Sequence, residues 1–221
     1  MTALGVEAAY QLWSATYDSG LNPLLALERR VLLERLVITP KTCFLDLATG
    51  TGRWLEYALH HGARGFGVDL SREMLAVAAQ KGMNGRLVQG NLKALPFRSG
   101  SIDLAVCGFA LGYLPSPQPA FREMARVSRR VIASDLHPDT IRAGWARSFH
   151  ANGQSYEIAS HHHSRSFLNA CARAAGFRST WQLEACFGEP ERVIFEQAGK
   201  GAAFEAARQV PAVLISCWTR P

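Results

Sequence analysis

With 221 residues, 48% hydrophobic and only 19% charged, the chain has the apolar mass for a packed core and lacks the charge excess of a disordered segment. Its net charge of +6 is spread along the sequence with no basic block, which argues against a nucleic-acid partner. Five widely spaced cysteines without a CxxC pair, an opening MTALGVEAAY with no leader pattern, and no apolar run of about 18 residues predict a reduced, cytoplasmic protein without a membrane span.

In chain order, the aromatic segment AYQLWSATYD places Tyr10, Trp13 and Tyr17 at i, i+3 and i+7, one helical face. PLLALERRVLLERL then reads as a helix opened by proline. From Thr42 the rhythm changes. Thr42–Leu47 predicts a strand, Gly52–His61 a helix, Gly65–Asp69 a strand, and REMLAVAAQ a helix capped by Ser71. GRLVQG and SIDLAVCG read as strands, QPAFREMARV as a helix, and RRVIASD as the next strand. After a polar stretch over 137–163, SFLNACARAAGF predicts a helix capped by Ser164 or Ser166 and stopped by Gly176. RSTWQLEACF and VPAVLISCWT complete seven strands, with an amphipathic stretch around Lys200–Arg208 between them. The alternation predicts an α/β, doubly wound, mostly parallel Rossmann-like sheet, closed at one edge by the late strands.

Ligands of such sheets bind beyond the carboxyl ends of the strands, where the order reverses, so DLATGTG after the first strand is the expected site. Gly50 and Gly52 permit a tight turn with N–H groups turned toward a ligand. The dinucleotide fingerprint needs a third glycine where Leu55 stands, and Arg53-Trp54 leaves no Walker lysine. In GVDLS, Asp69 ends a strand where a carboxylate can hold a ribose diol, a feature common to NAD and S-adenosylmethionine proteins. In GNLKALPF, Asn91 can pair with an adenine edge through its amide. Asp46 has a second reading, bonding the turn's own N–H groups, and Cys107 a second as a small buried residue.

Together FLDLATGTG, GFGVDLS, GNLKALPF and IDLAVCGFALGYLP resemble the class I S-adenosylmethionine-dependent methyltransferases, nearest to the small-molecule enzymes of ubiquinone and menaquinone biosynthesis. The resemblance is strong over residues 40–136. It implies S-adenosyl-L-methionine as cofactor, with Asp46, Ala48, Gly50 and Gly52 around its methionine part, Asp69 on the ribose, and Leu70 and the Leu92 N–H at the adenine. Asn91 stands where the family has an acidic residue, Ala48 where it has glycine, and Cys107 would line the sulfonium side. Tyr17 in TYD matches a recurring tyrosine of a segment that folds over the cofactor. The implied organisation is one domain, with residues 1–40 a helical lid, 41–136 the cofactor-binding core, 137–163 an acceptor-side insertion, and 164–221 a helix and closing strands that include an antiparallel edge strand.

Displacement of a methyl group from a sulfonium has an activated leaving group, so positioning supplies much of the rate, and a base is needed only if the acceptor carries a proton. His137, just past the fifth strand, is the candidate base. Trp13, His161 and His163 are candidate acceptor contacts, the two histidines sharing one face of an extended segment. HHH at 161–163 predicts no metal site. The reading is methyl transfer to oxygen or carbon of a small aromatic or quinone-like acceptor. An NAD-dependent oxidoreductase and a non-catalytic cofactor-binding module are the alternatives.

Overall fold

Local sequence sets most of the element boundaries in the computed structural model, which describes residues 2–221, the side chain of Ile141 excepted. The chain runs β1 (Thr2–Leu4), α1 (Val6–Trp13), α2 (Pro23–Leu33), β2 (Cys43–Leu47), α3 (Arg53–His60), β3 (Arg64–Asp69), α4 (Arg72–Ala78), β4 (Leu87–Gln89) and β5 (Ile102–Gly108). It continues through α5 (Gln118–Val127), β6 (Ser128–Leu136), α6 (Asp139–Arg142), β7 (Ser148–Ala151), β8 (Gln154–Ile158) and α7 (Arg165–Ala174). Last come β9 (Arg178–Ala185), α8 (Glu189–Gln197), α9 (Phe204–Ala207) and β10 (Val213–Thr219). Asn22 caps α2 by accepting the Leu24 N–H at 3.0 Å, with Pro23 in the first turn, where its missing N–H costs nothing. Ser71 caps α4 and Ser164, not Ser166, caps α7.

Seven strands form one sheet in the order β4-β3-β2-β5-β6-β10-β9. β4 through β6 pair in parallel, and every residue of β2 is buried, as expected of a central strand covered on both faces. The antiparallel strand is β10. It lies one position in from the edge, between β6 and the edge strand β9. One face of the sheet packs Leu45, Leu47, Cys107, Val131 and Leu214 against Phe121 and Met124 of α5 and Leu168 of α7. The other packs Phe44, Val106, Ile132 and Ile215 against Leu27 of α2, Trp54 of α3, Phe195 of α8 and Phe204 of α9.

A second sheet is absent from the sequence reading. β7 and β8 form an antiparallel hairpin, and β1 adds in parallel to β8, giving the order β1-β8-β7. The lid segment and the segment 137–163 thus share one small unit, in which Trp13 stacks on Phe149 at 4.8 Å between ring centres. Its signal was legible: Asn152-Gly153, with φ of +50° and +72°, forms the two-residue turn between the paired Ala151 and Gln154, the strongest short hairpin signature. The helical stretch between β9 and β10 likewise starts earlier than Lys200, in α8.

Candidate active site

β3 and β4 lie on one side of β2 and β5 and β6 on the other, so the order reverses between β2 and β5, and a cavity opens there. The turn from β2 into α3 forms its floor. Gly50 (φ +55°) and Gly52 (φ +88°) both occupy the left-handed region, and a side chain on Gly52 would also run into Met83. Ala48 adopts φ +52° as well, at a position where its methyl costs roughly 1 kcal/mol. Ala48→Gly should therefore raise stability by up to about 1 kcal/mol, less the extra chain entropy of glycine, in urea unfolding. A loss of stability would show that the methyl packs better than the strain costs.

Two carboxylates hold this turn. Asp46 Oδ2 accepts the Thr49 hydroxyl at 2.7 Å and the Leu55 N–H at 2.9 Å, binding the turn to the first residues of α3. Burial pushes its pKa up to about 7, against the lowering effect of those two bonds. Asp69, at the end of β3, accepts the Gly50 N–H at 2.7 Å through Oδ2 and the Ser71 N–H at 2.8 Å through Oδ1. Burial raises its pKa too, opposed by those backbone bonds. Across the cavity mouth, Asn91 Oδ1 accepts the Lys93 N–H at 2.9 Å, so its oxygen fixes the turn while its amide nitrogen stays available.

Tyr17, Asp46, Ala48, Gly50, Asp69, Leu70, Asn91 and Leu92 all line this one cavity. Gly52 shapes the turn from behind without lining it. Cys107 does not line it either. Adjacent strand residues face opposite ways, so Gly108 faces the cavity while the Cys107 thiol is fully buried in the core, where burial drives its pKa well above the ordinary value. Trp13, His161 and His163 also lie outside the cavity lining. His163 Nε2 sits 2.8 Å from the Leu114 carbonyl and the His161 N–H donates to the Gly112 carbonyl at 2.6 Å, so both brace the turn that carries Tyr113 and Leu114.

His137 requires the same correction. Its Nδ1 accepts the Asp139 N–H at 3.2 Å, its carbonyl accepts from Thr140, and its Nε2 lies 3.7 Å from Glu184 of β9. Those contacts build the turn into α6, and the residue does not line the cavity.

Several lining residues were not among the site residues expected from the sequence. Arg53 and Trp54 face the cavity from the start of α3, and behind them Glu28 of α2 is fully buried, paired with Arg53 and accepting the Ser134 hydroxyl. Two buried donors here, Arg53 Nη1 and Trp54 Nε1, have no hydrogen-bond partner among the described residues. Tyr10, Phe109 and Tyr113 complete the walls.

A family model described as a methyltransferase domain matches residues 45–132, the stretch that builds this turn and both flanking strands. Over the whole fold, the S-adenosylmethionine-dependent methyltransferase from Mesorhizobium loti superposes with a TM-score of 0.69 at 23% identity, covering 88% of this chain and 98% of that one. Residues 45–132 thus match a methyltransferase domain, and the chain shares the fold of that solved structure. Among curated proteins the chain is similar to the demethylmenaquinone methyltransferases of Oceanobacillus iheyensis (31% identity over 124 residues, 50% of this chain) and Lactococcus lactis subsp. lactis (28% over 158 residues, 62%). The matched stretches span 52% and 62% of those relatives' lengths.

Proposed function

We propose that the protein is an S-adenosylmethionine-dependent methyltransferase acting on oxygen or carbon of a small aromatic or quinone-like acceptor. The observation that carries this reading is Asp69: a half-buried carboxylate at the cavity, bonded to the Gly50 N–H and so tied to the glycine turn. When bound, the cofactor supplies a methyl group on a sulfonium, a leaving group already activated.

The residues present fit that group. Asp69 keeps lone pairs for a ribose diol, Leu70 and Leu92 offer apolar surface and backbone to an adenine, and the Asn91 amide nitrogen is a free donor. The two unpartnered donors, Arg53 Nη1 and Trp54 Nε1, suit a carboxylate at the methionine end. Tyr17 covers the site from the lid side.

The rest of the wall is apolar and aromatic: Val6, Tyr10, Leu25, Phe109, Tyr113 and Leu114. A planar, largely apolar acceptor fits such a surface, and the demethylmenaquinone methyltransferase relatives support the quinone-like class. No histidine is among the lining residues, and the two lining carboxylates are engaged in the turn. An acceptor that ionises readily in water is therefore the best match, because the chain supplies orientation and desolvation in place of a base. His137→Ala should accordingly leave turnover within about twofold of wild type, its cost falling on the turn into α6 and so on stability. A drop of a hundredfold or more would return the histidine to the chemistry.

Calorimetric titration with S-adenosylhomocysteine and with NAD tests the cofactor. Heat from NAD alone would sink the reading. Incubation with S-adenosylmethionine and reduced 1,4-naphthoquinone, followed by mass spectrometry for one added methyl group, tests the acceptor class. The five free cysteines support a reducing, cytoplasmic location, and no helix among the described residues is long and apolar enough to cross a membrane.

A further inference from the structure

Two tyrosines meet at the acceptor side of the cavity from different parts of the chain. Tyr10 comes from α1 in the small N-terminal unit. Tyr113 comes from the short turn Leu111–Tyr113 that follows β5. Their hydroxyl oxygens are 2.8 Å apart, their rings stand edge to face at 86°, and both line the cavity. One bond joins them, so of their two O–H groups one stays free to donate, and lone pairs remain on both oxygens.

The pair is held from behind. The Arg147 guanidinium lies 4.5 Å from the centre of the Tyr113 ring, pairs with Asp135 at the end of β6, and donates to the Phe109 carbonyl at 2.9 Å. Asp135 in turn accepts the Gly112 N–H at 2.6 Å, fixing the turn that carries Tyr113. A cation over a phenol ring holds it in place and strengthens its O–H as a donor. Burial, and next the neighbouring Tyr113, push the Tyr10 pKa well above its ordinary value, so this phenol keeps its proton.

The threonine hydroxyls on the cavity wall are committed elsewhere. Thr49 donates to Asp46 and Thr51 donates to Asp18 at 2.8 Å. Tyr17 lies beside the cofactor half, where the Arg53 charge reaches it. Around the tyrosine pair the wall is Val6, Phe109 and Leu114. An apolar slot with one placed donor is how a site orients a planar ring through a single substituent.

We propose that the Tyr10–Tyr113 pair is the subsite for one oxygen of the acceptor, a phenol, quinol or ring carbonyl oxygen, with Arg147 as the residue that positions Tyr113. The proposal rests on the methyltransferase reading and names the group by which that site would recognise its acceptor. It also gives the tyrosine at the head of the i, i+3, i+7 stripe a role distinct from that of Trp13, which lies outside the cavity lining and packs on Phe149, Tyr10 and Tyr17.

The test is a discrimination ratio. The protein saturated with S-adenosylhomocysteine is titrated with 1-naphthol and with naphthalene, and the ratio of the two dissociation constants is compared between wild type, Tyr113→Phe and Tyr10→Phe. Wild type should favour the naphthol by about tenfold, the scale of one neutral hydrogen bond. In Tyr113→Phe the preference should fall to within about twofold, with the affinity for S-adenosylhomocysteine unchanged. A pair that only latches the lid would weaken both ring ligands together and leave the ratio intact. That result, or a wild-type protein with no preference, overturns the proposal. If Tyr113→Phe does not fold, judged by circular dichroism, Tyr10→Phe carries the same ratio test. A wild-type protein that fails to bind S-adenosylhomocysteine would bring down the methyltransferase reading, a different failure from an unchanged ratio.

Discussion

Glu28→Ala should destabilise the protein by about 3–5 kcal/mol, the cost of stripping one partner from a buried ion pair. The carboxylate is fully buried on α2, a helix that otherwise presents leucines to the sheet, and it joins three elements at once. One oxygen pairs with Arg53 at the start of α3 and the other accepts the Ser134 hydroxyl of β6. Alanine would leave the Arg53 guanidinium without its counter-charge and the buried Ser134 hydroxyl without its acceptor. Replacing the whole group by well-packed apolar residues could cost nothing, so the pair is weak evidence of design for stability, but its half-removal is expensive. In urea unfolding the midpoint should fall sharply with the slope unchanged, and Tm should drop on the order of 10 °C for a domain of this size. Glu28→Gln keeps one acceptor oxygen for Arg53 and presents an amide N–H to the Ser134 hydroxyl, which can accept, so it should cost less. A loss below about 1 kcal/mol for alanine would mean that water reaches and solvates the Arg53 charge. The exposed group Arg192, Glu189 and Glu205 gives the contrast, because solvent already screens it.

Glu28 also shows where sequence reading stops. A glutamate in the helical window PLLALERRVLLERL has the look of a solvated face, because nothing local announces that Arg53 and Ser134 converge on it from residues 25 and 106 positions away. The sheet was legible for the opposite reason. Its central strands are buried on both faces and read as short apolar runs, and its helices carry their own caps at Asn22, Ser71 and Ser164. The half of the cavity built by consecutive residues, Asp46 to Gly50 and Asp69 to Leu70, was legible as motif. The half built by residues from α1 and the turn after β5 was not: the stripe of Tyr10, Trp13 and Tyr17 was visible, but nothing local says that Tyr10 meets Tyr113, 103 positions away, at the cavity. The histidines illustrate the same limit. Position past a strand end predicts nearness to the cavity, but side-chain direction decides its use, and His137 is directed to Glu184 and the α6 turn.

Asp69→Ala should weaken binding of S-adenosylhomocysteine by about 2–4 kcal/mol, roughly 30- to 1,000-fold, and it is the change that tests the cofactor site most directly. Two losses add. The ribose diol would lose a charged acceptor, and the Gly50 and Ser71 N–H groups would lose the oxygens they now contact at 2.7 and 2.8 Å. The second loss loosens the glycine turn itself, so the variant alone does not separate ligand contact from turn geometry. Comparing adenosine with 2′,3′-dideoxyadenosine does. Wild type should prefer the diol, and the preference should vanish in Asp69→Ala if the carboxylate touches the ribose, whereas a turn effect would weaken both nucleosides alike. The ionised form is the better acceptor, and burial raises the Asp69 pKa above its ordinary value. Protonation on acidification removes that charge, so affinity for the diol should fall as pH drops through the raised pKa and stay flat above it. Asp69→Asn keeps an acceptor oxygen without the charge; its affinity should be intermediate at neutral pH and lack this pH dependence. An Asp69→Ala protein that binds S-adenosylhomocysteine as wild type does would remove the residue from the site and, with it, the observation on which the proposed function rests.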